Sequence, residues 1–370
     1  MNEPRPAWAE IDLDAIRANV SRVHAKLAND ASLMAVVKAN AYGHGDVPVA
    51  RAALEAGATW LGVILVDEGL RLREAGITVP ILLLHEPPAE RVDEAIANDL
   101  TPVVFSEPGL HCIAGAAERA RATVRVHLKI DTGLNRLGCP LDRLDDFVRA
   151  LAKEPHIQIE GVFSHFAHAD QPRHPFIDEQ LDRFTAALER LQGLGVAPRI
   201  RHLANSAASI TRPDTHFDMV RLGIAMYGMT PGPDVEFELV PALSLKARAA
   251  MVKRCRAGDA VSYGHRYRLD RDGTIVSIPL GYADGWPRAL SNNAEVLIAG
   301  ARHPAVGTVT MDSFMADVGD TDVAIGDEVV LIGEQGSERI TADEIAARTG
   351  TINYEVTTRI SSRIPRIANG

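Results

Sequence analysis

The stretch LMAVVKANAYGHG, residues 33–45, places a charged side chain at the end of an apolar run. Leu33 to Val37 are all apolar, which predicts a short, buried β-strand. Lys38 follows at once and begins a turn of small and polar residues. A lysine directly after a buried strand needs a physical reason, and the arrangement of the other strands suggests one.

Seven further apolar runs follow in the first two-thirds of the chain, and helical patterns lie between most of them. Eight β-α units with short connections predict a parallel sheet, and eight parallel strands close into a (β/α)8 barrel. An open, doubly wound sheet is the alternative. The predicted strands are Leu33–Val37, Trp60–Val66, Pro80–His85, Pro102–Phe105, Thr123–Ile130, Ile157–Phe166, Ile200–Ala204 and Met219–Ile224.

The pattern changes after about residue 236. Runs such as GTIVSIPLGYADGW and DEVVLIG predict strands with Gly and Asp turns between them, and the capping-box spacing of Thr341 and Glu344 predicts a short helix at Thr341–Arg348. We therefore expect an α/β protein with a TIM-like (β/α)8 barrel over residues 1–236 and a mostly β domain over residues 237–370. The segment PAWAEIDL is ambiguous, so residues 1–12 are a candidate strand of the β domain.

Composition excludes several classes of partner. The 370 residues carry a net charge of −10, which disfavours nucleic acid as a ligand, and no run of 18 apolar residues predicts a transmembrane helix. The first residues lack the basic and apolar segments of a signal peptide, and three widely spaced cysteines indicate a reducing compartment. We expect a cytoplasmic protein.

Charged or polar residues lie at the ends of five predicted strands. The fifth strand alternates, so that Arg125, His127, Lys129 and Asp131 share the face expected to point into the barrel. Burying one of these charged groups without a partner would lower the stability of the fold by roughly several kcal/mol. Because functional sites of barrels lie at these ends, the convergence favours a site over a network that only satisfies itself. The strand-end residues are Lys38, Lys129, His165, His202 and Arg221.

Two chemistries fit a lysine at this mouth. A buried lysine has a lowered pKa and can form Schiff bases. Alternatively, Lys129, His165, His168, Asp170 and His202 resemble the ligand types of metal-dependent barrel hydrolases. The metal interpretation is weaker, because such hydrolases usually carry two histidines one residue apart on the first strand, and this strand offers only the lysine.

The motifs AVVKANAYGHG, KIDTGLNRLG, SHFAHAD, HLANSAA, MVRLGIAMYG, SYGH, GYADGWPR, VTMDSFMADV and INYEV resemble those of bacterial alanine racemases. They span residues 35 to 356 in the order of that family. The resemblance implies a pyridoxal 5′-phosphate (PLP) enzyme with an eight-stranded barrel and a C-terminal β domain. It also implies interconversion of L- and D-alanine, which supplies D-alanine for peptidoglycan.

The resemblance assigns roles to individual residues. Lys38 matches the lysine that holds PLP as a Schiff base, and Tyr263 matches the second catalytic base, which reaches the site from the partner subunit of a homodimer. The implied cofactor-binding residues are Lys38, Tyr42, His165, Asn205, Ser206, Arg221, Gly223, Ile224 and Tyr354. The implied substrate-binding residues are Arg136 and Met311. The implied supporting residues are Lys129, which is carbamylated in many members of the family, His202, Tyr282 and Asp312, and the resemblance implies no metal ligand.

Arg221 separates this interpretation from related ones. Arginine has no acceptor, so it cannot keep a pyridine nitrogen protonated as the carboxylate of a barrel-type PLP decarboxylase does. Another small-amino-acid racemase, acting on serine, stays open. Leu134, His168, Trp286 and Thr310 depart from the usual family pattern and leave the shape of the substrate entrance undecided.

Overall fold

The computed structural model describes residues 6–28 and 30–370. They form two compact units: Ala15–Ala41 with Asp46–Val240, called the barrel unit, and the residues up to Asp14 with Tyr42–Gly45 and Pro241–Gly370, called the β unit. Strands β1–β11 are Ala7–Asp12, Ser32–Val36, Trp60–Val63, Ile81–Leu83, Leu100–Thr101, Val103–Val104, Val124–Asp131, Cys139–Pro140, Ile157–Phe163, Ile200–His202 and Met219–Leu222. Strands β12–β22 are Leu243–Arg248, Met251–Cys255, Ala260–Val261, Tyr267–Arg268, Gly273–Ile278, Ala294–Ile298, Ala301–Val306, Phe314–Gly319, Glu328–Gln335, Glu338–Ile340 and Arg366–Asn369.

The α-helices connect most of these strands. Right-handed helices cover Leu13–His24, Asp46–Glu55, Val66–Glu74, Val92–Ala97, Glu107–Ala120, Leu144–Leu151, Phe176–Gly193, Ser206–Thr211, Ala342–Thr349 and Asn353–Thr358. No helix in the described part of the chain is both long enough and apolar enough to cross a membrane.

Parallel strands close the barrel unit into a ring. One sheet runs β11-β2-β3-β4-β5 and a second runs β10-β9-β7-β6, with β5 and β6 separated only by Pro102. The last two strands of the ring, β10 and β11, are joined by two backbone hydrogen bonds of 3.0 Å, from Asp218 N to Arg201 O and from Arg221 N to Ala204 O. The prediction of a (β/α)8 barrel is confirmed, and the alternative prediction of an open, doubly wound sheet is wrong.

Several predicted strands end earlier than expected, and two of them end three residues early. The strand that starts at Trp60 ends at Val63, and Val66 already begins a helix; the strand that starts at Ile157 ends at Phe163. Past Val63 the apolar run continues through Ile64 and Leu65 although Leu65 is 55% exposed, and past Phe163 the chain continues with Ser164 and His165 before Phe166. Apolar content alone cannot locate the end of a strand.

An apolar layer fills the barrel below its mouth. Each of the eight barrel strands except the fifth contributes one buried side chain to this layer. Burial of each such side chain stabilises the fold by roughly 1.5–3 kcal/mol. The layer consists of Met34, Trp60, Leu82, Val103, Phe163, Ile200 and Met219. The fifth strand, β7, instead points His127 and Lys129 inward, and both are buried, as the alternation predicts.

The β unit is built on one large sheet in the order β13-β16-β19-β18-β17-β20-β12-β1-β22. Strand β1, Ala7–Asp12, lies between β12, to which it is antiparallel, and β22, to which it is parallel. Residues 1–5 lie outside the described residues. The predicted helix near Thr341 is present, and the Thr341 Oγ1 accepts the Glu344 N–H at 3.1 Å.

Gly161 of β9 lies opposite His127 of β7. A Cβ at residue 161 would lie 2.5 Å from both Cε1 and Nδ1 of the His127 ring, which is completely buried. The glycine is therefore required by the close approach of the imidazole.

We expect Gly161→Ala to lower the free energy of unfolding by about 1–3 kcal/mol, because the enclosed His127 ring has no room to retreat. The matched control is Gly193→Ala at the end of a helix, where no atom lies within 4 Å of the added Cβ. That change should be neutral or stabilising by up to ~1 kcal/mol. Urea unfolding of both variants measures the difference; equal stabilities would contradict the steric account.

Candidate active site

Lys38 begins a turn of unusual backbone geometry. Ala39, Asn40, Ala41 and Tyr42 follow with φ angles of 53°, 53°, 52° and 53°, in the left-handed region. Each such residue other than glycine costs roughly 1–2 kcal/mol, so the surroundings must hold the turn in place.

Three hydrogen bonds hold the turn. The Ala39 N–H donates to Glu68 Oε1 at 2.6 Å, and the Ala41 N–H donates to Val37 O at 2.8 Å. The Asn40 Oδ1 accepts the Asp46 N–H at 3.0 Å, at the start of the next helix. These bonds place the Lys38 side chain at the carboxyl end of the first barrel strand, β2.

The amines in the barrel mouth lower one another's affinity for protons. Burial, followed by the charge of Arg136, lowers the pKa of Lys38, and Glu68 partly opposes this effect. Burial and the charges of Arg221, Arg136 and Lys38 lower the pKa of Lys129 to about 8, with Asp131 acting in the other direction. Both lysines therefore lose their proton more easily than an exposed lysine does.

Arg221 is 4% exposed and its hydrogen bonds determine the protonation of its neighbours. Its Nη1 donates to His202 Nδ1 at 3.0 Å, and its Nη2 donates to His165 Nδ1 at 3.2 Å and to backbone oxygens of residues 164 and 203. Because a guanidinium has no acceptor, both Nδ1 atoms must be unprotonated. Burial and the Arg221 charge lower the pKa of both histidines well below the ordinary value, so they are neutral.

The same reasoning fixes the position of the proton on the His127 ring, which contacts His202 inside the barrel. His202 must carry its proton on Nε2, which lies 2.9 Å from His127 Nδ1 and donates to it. His127 then carries its proton on Nε2, which lies 3.9 Å from Glu160 Oε2. Burial, followed by the charges of Arg199 and Arg221, lowers the pKa of His127 to about 3.

The loops after the last two barrel strands form a cluster of polar groups. Ser206 Oγ accepts the N–H groups of Gly223 and Ala225 at 2.8 and 3.4 Å, and Ile224 lies between those residues. Asn205 precedes this cluster and caps the helix Ser206–Thr211 through a bond from Ala208 N to its Oδ1 at 3.2 Å. Successive backbone N–H groups beside a hydroxyl suit an anion.

The β unit supplies two aromatic rings. The centroids of Tyr42 and Tyr354 lie 6.1 Å apart, and burial raises the pKa of the Tyr42 hydroxyl to about 12, so that it stays a donor. Gly43 makes this possible because a Cβ there would lie 2.2 Å from Thr357 O. Arg366 Nε donates to Gly43 O at 2.9 Å and holds the same loop.

The β unit also carries a group of exposed large side chains. Tyr263 is 75% exposed and lines a cleft of about 550 Å³, and Met311 and Tyr282 are 52% and 44% exposed. Asp312 is exposed and its Oδ1 accepts from Arg363 Nη2 at 2.6 Å.

The positions that depart from the family pattern lie in different environments. Trp286 is buried and stacks on Phe314 with centroids 5.5 Å apart, so its bulk fills the core of the β unit. The His168 ring stacks on His174 at 3.9 Å. Within the described residues no group of three or more His, Cys, Asp or Glu side chains could hold a metal ion.

The sequence analysis missed two residues that hold the barrel mouth together. Glu68 bonds the Lys38 turn, and the completely buried Gln180 accepts from Ala167 N and donates to Thr132 Oγ1 and to His165 O. Both lie on helices and look in the sequence like ordinary helix-surface residues. Only their position opposite strand-end loops distinguishes them.

Comparisons with known proteins agree with this architecture. The chain matches the family model described as "Alanine racemase, N-terminal domain" over residues 11–231 and that described as "Alanine racemase, C-terminal domain" over residues 242–368. An alanine racemase of Symbiobacterium thermophilum is 48% identical over 369 residues, which cover 99% of this chain and 98% of that protein. The crystal structure of alanine racemase from the D-cycloserine-producing Streptomyces lavendulae is 44% identical, with a TM-score of 0.95 over 100% of this chain and 98% of that one.

A histidine racemase from Leuconostoc mesenteroides shares the fold at 31% identity and a TM-score of 0.91, over 100% of this chain and 99% of that one. The fold is thus common to racemases with different named substrates. Members of the alanine racemase family are PLP enzymes. The resemblance found in the motifs is confirmed: the chain belongs to the alanine racemase family.

Proposed function

We propose that this chain interconverts L- and D-alanine with PLP as cofactor and with Lys38 and Tyr263 as the two bases. The observation that carries the proposal is the lowered pKa of Lys38 in a barrel mouth that also holds the donor-only side chain Arg221. A neutral amine is the form that attacks an aldehyde and accepts a proton. The product D-alanine would serve peptidoglycan synthesis.

The chemistry of the donor set fits PLP, which has a phosphate, an aldehyde and a pyridine nitrogen. Lys38 offers the amine. Within the described residues the hydrogen bonds of Arg221 leave from Nη1 and Nη2, so Nε–H remains as the donor for a neutral ring nitrogen. The proposed phosphate ligands are Ser206, Gly223, Ile224, Tyr42 and Tyr354, with Asn205 beside them and His165 next to the ring.

When bound, PLP supplies an aldehyde for amines and an electron-withdrawing ring that makes the substrate Cα–H acidic. With PLP bound, Arg221 would donate to the ring nitrogen without giving it a full proton, which would limit electron withdrawal and favour the simple return of the proton. His202, neutral and bonded to Arg221 Nη1, orients the guanidinium. Arg136 and Met311 are the proposed contacts of the substrate carboxylate and the substrate entrance.

Inversion at Cα requires two proton carriers on opposite faces. Lys38 Nζ, at the end of β2, takes or gives the proton on one face, and the Tyr263 hydroxyl does so on the other. Alanine is the proposed substrate, and serine is the second candidate. The Thr310 hydroxyl, which donates to Ser313 O at 2.8 Å, belongs to the loop that carries Met311.

We further propose a homodimer in which each β unit presents Tyr263 to the barrel of the other copy. Support comes from the exposure of Tyr263, Met311 and Tyr282, which all lie on the β unit. A shared site explains why such large side chains stay uncovered within one chain. Asp312 lies beside Met311 and is held by Arg363.

Lys38→Ala should abolish conversion of L-alanine to D-alanine, because it removes both the cofactor attachment and one base. Borohydride reduction of the wild-type enzyme followed by mass spectrometry should place the pyridoxyl group on Lys38. The control variant, Lys153→Ala, alters an exposed lysine of the barrel unit and should keep the label and the activity. A label on Lys129, release of CO2, or loss of activity with a chelator while PLP stays bound would each contradict the proposal.

Mixing the inactive variants Lys38→Ala and Tyr263→Ala tests the shared site. A hybrid dimer contains one site with both changes and one site with neither, so activity should return to about half per hybrid dimer. Chiral chromatography of alanine measures the activity, and native mass spectrometry counts the hybrids. In the opposite arrangement, a hybrid of wild type and the double variant lacks one base in each site and should be inactive. Verified hybrids of the two single variants without activity would place both bases in one chain.

Lys129 is expected to be carbamylated. Its neutral amine adds to CO2 and releases a proton, and the product is an anion that relieves the repulsion from Arg136 and Arg221. Because its pKa is lowered to about 8, the carbamate fraction should rise as the pH increases through 8 and fall below it. Carbon-13 NMR with labelled bicarbonate follows the signal.

Lys246 is the control for this measurement, since its hydrogen bond to Glu10 and the nearby charges raise its pKa despite partial burial. Lys129→Ala should remove the carbamate signal, and Lys246→Ala should not. Asp131 is the alternative partner, but its Oδ1 already accepts the N–H groups of Gly133 and Asn135 at 2.9 and 3.1 Å. An unmodified Lys129 at pH 8 with bicarbonate would favour neutralisation by Asp131.

A further inference from the structure

The contacts of Glu68 exceed what its own helix requires. Glu68 lies in the first turn of the helix Val66–Glu74, and its Oε2 accepts the N–H groups of Ile64 and Leu65 at 2.9 and 3.1 Å. These bonds are the usual ones for an acidic residue at a helix start. Its Oε1, however, accepts the N–H of Ala39, 29 residues earlier in the chain, at 2.6 Å, which is the shortest of the three.

Ala39 is the residue directly after Lys38 and the first of the left-handed residues. We propose that Glu68 is the positioning residue of Lys38: its buried carboxylate ties the loop after the first barrel strand to the loop after the second and holds Lys38 in the left-handed turn. The proposal rests on the proposed role of Lys38, and it concerns a residue that contacts neither reacting atom.

The site requires a carboxylate and not merely a polar side chain of this size. All three partners of Glu68 are backbone N–H donors, and Glu68 itself is 7% exposed. A glutamine has only one acceptor oxygen, so its NH2 group would face at least one of these N–H groups without water to relieve the conflict.

The charge of Glu68 acts on the same lysine. Arg136 and Lys129 are the cations that interact with the Lys38 amine, the neutral His165 also interacts with it, and Glu68 supplies the opposing negative charge. Its field raises the pKa of Lys38 against burial and against Arg136. Removing the charge should therefore make Lys38 lose its proton at lower pH.

Glu68→Gln tests both effects in the full-length chain. Amide hydrogen exchange at Ala39 should become about tenfold faster or more, because its N–H loses a charged acceptor. The midpoint of pH-dependent amine labelling at Lys38, read by mass spectrometry on the full-length chain freed of PLP so that the amine is unblocked, should move down by about half a pH unit. Neither readout depends on racemase activity, so failure of this proposal is distinguishable from failure of the proposed function.

Glu86→Gln is the matched control, because its carboxylate also accepts backbone N–H groups in the barrel unit, from Phe105 and Ser106 at 2.6 and 2.8 Å. It should leave the Ala39 amide and the Lys38 midpoint unchanged. Equal shifts in Glu68→Gln and Glu86→Gln, or no shift in either, would overturn the proposal.

Glu68→Asp serves as a second variant, which keeps the charge but is one methylene shorter. It should keep the Lys38 midpoint near the wild-type value and still speed exchange at Ala39, and its rate of alanine racemisation should lie between those of wild type and Glu68→Gln. If Glu68→Gln does not fold, wild-type exchange at Ala39 in Glu68→Asp overturns the proposal and faster exchange supports it.

Discussion

The buried guanidinium of Arg221 is the constraint on which the chemistry of the barrel depends. A cation with 4% exposure is stable only if acceptors surround it, and the acceptors here are backbone oxygens and the Nδ1 atoms of His165 and His202. Since arginine can only donate, both imidazoles are forced into one tautomer and kept neutral. The constraint then passes through His202 to His127, whose ring lies against Gly161 of β9 and leaves no room there for a Cβ.

The surplus of positive charge in the mouth has a chemical use. Burial lowers the pKa of both lysines, Arg136 adds to the effect at Lys38, and Arg221, Arg136 and Lys38 add to it at Lys129, so the two lysines become neutral amines more easily than exposed ones. A neutral lysine can form an imine and accept a proton. The same repulsion is the reason for the proposed anionic modification of Lys129. Glu68 limits the shift at Lys38, so the amine keeps some of its basicity.

The two units contribute different kinds of group. The barrel unit provides the amine, the guanidinium and the Ser206–Gly223 cluster, all of them buried or partly buried and held by hydrogen bonds. The β unit provides a tyrosine that is three-quarters exposed beside a cleft. Rigid groups suit the binding of a cofactor, and an exposed one suits completion by a second copy of the chain.

Much of this protein could be read from the sequence because local pattern and position along the chain carry the information. Eight apolar runs separated by helical patterns predicted the barrel, alternation in the fifth strand predicted that His127 and Lys129 point inward, and motif resemblance identified the family and singled out Lys38 and Arg221 as proposed site residues. Tertiary structure alone decided the rest. Three sets of contacts join residues that are 13 to 75 positions apart, so no spacing rule marks them: the Ala39–Glu68 bond, the bonds of Gln180, and the His202–His127 bond, whose direction was also decided by the structure. The strand ends at Val63 and Phe163 were also decided there, because a strand ends where the ladder of backbone hydrogen bonds to its neighbours stops, and side-chain composition does not mark that point.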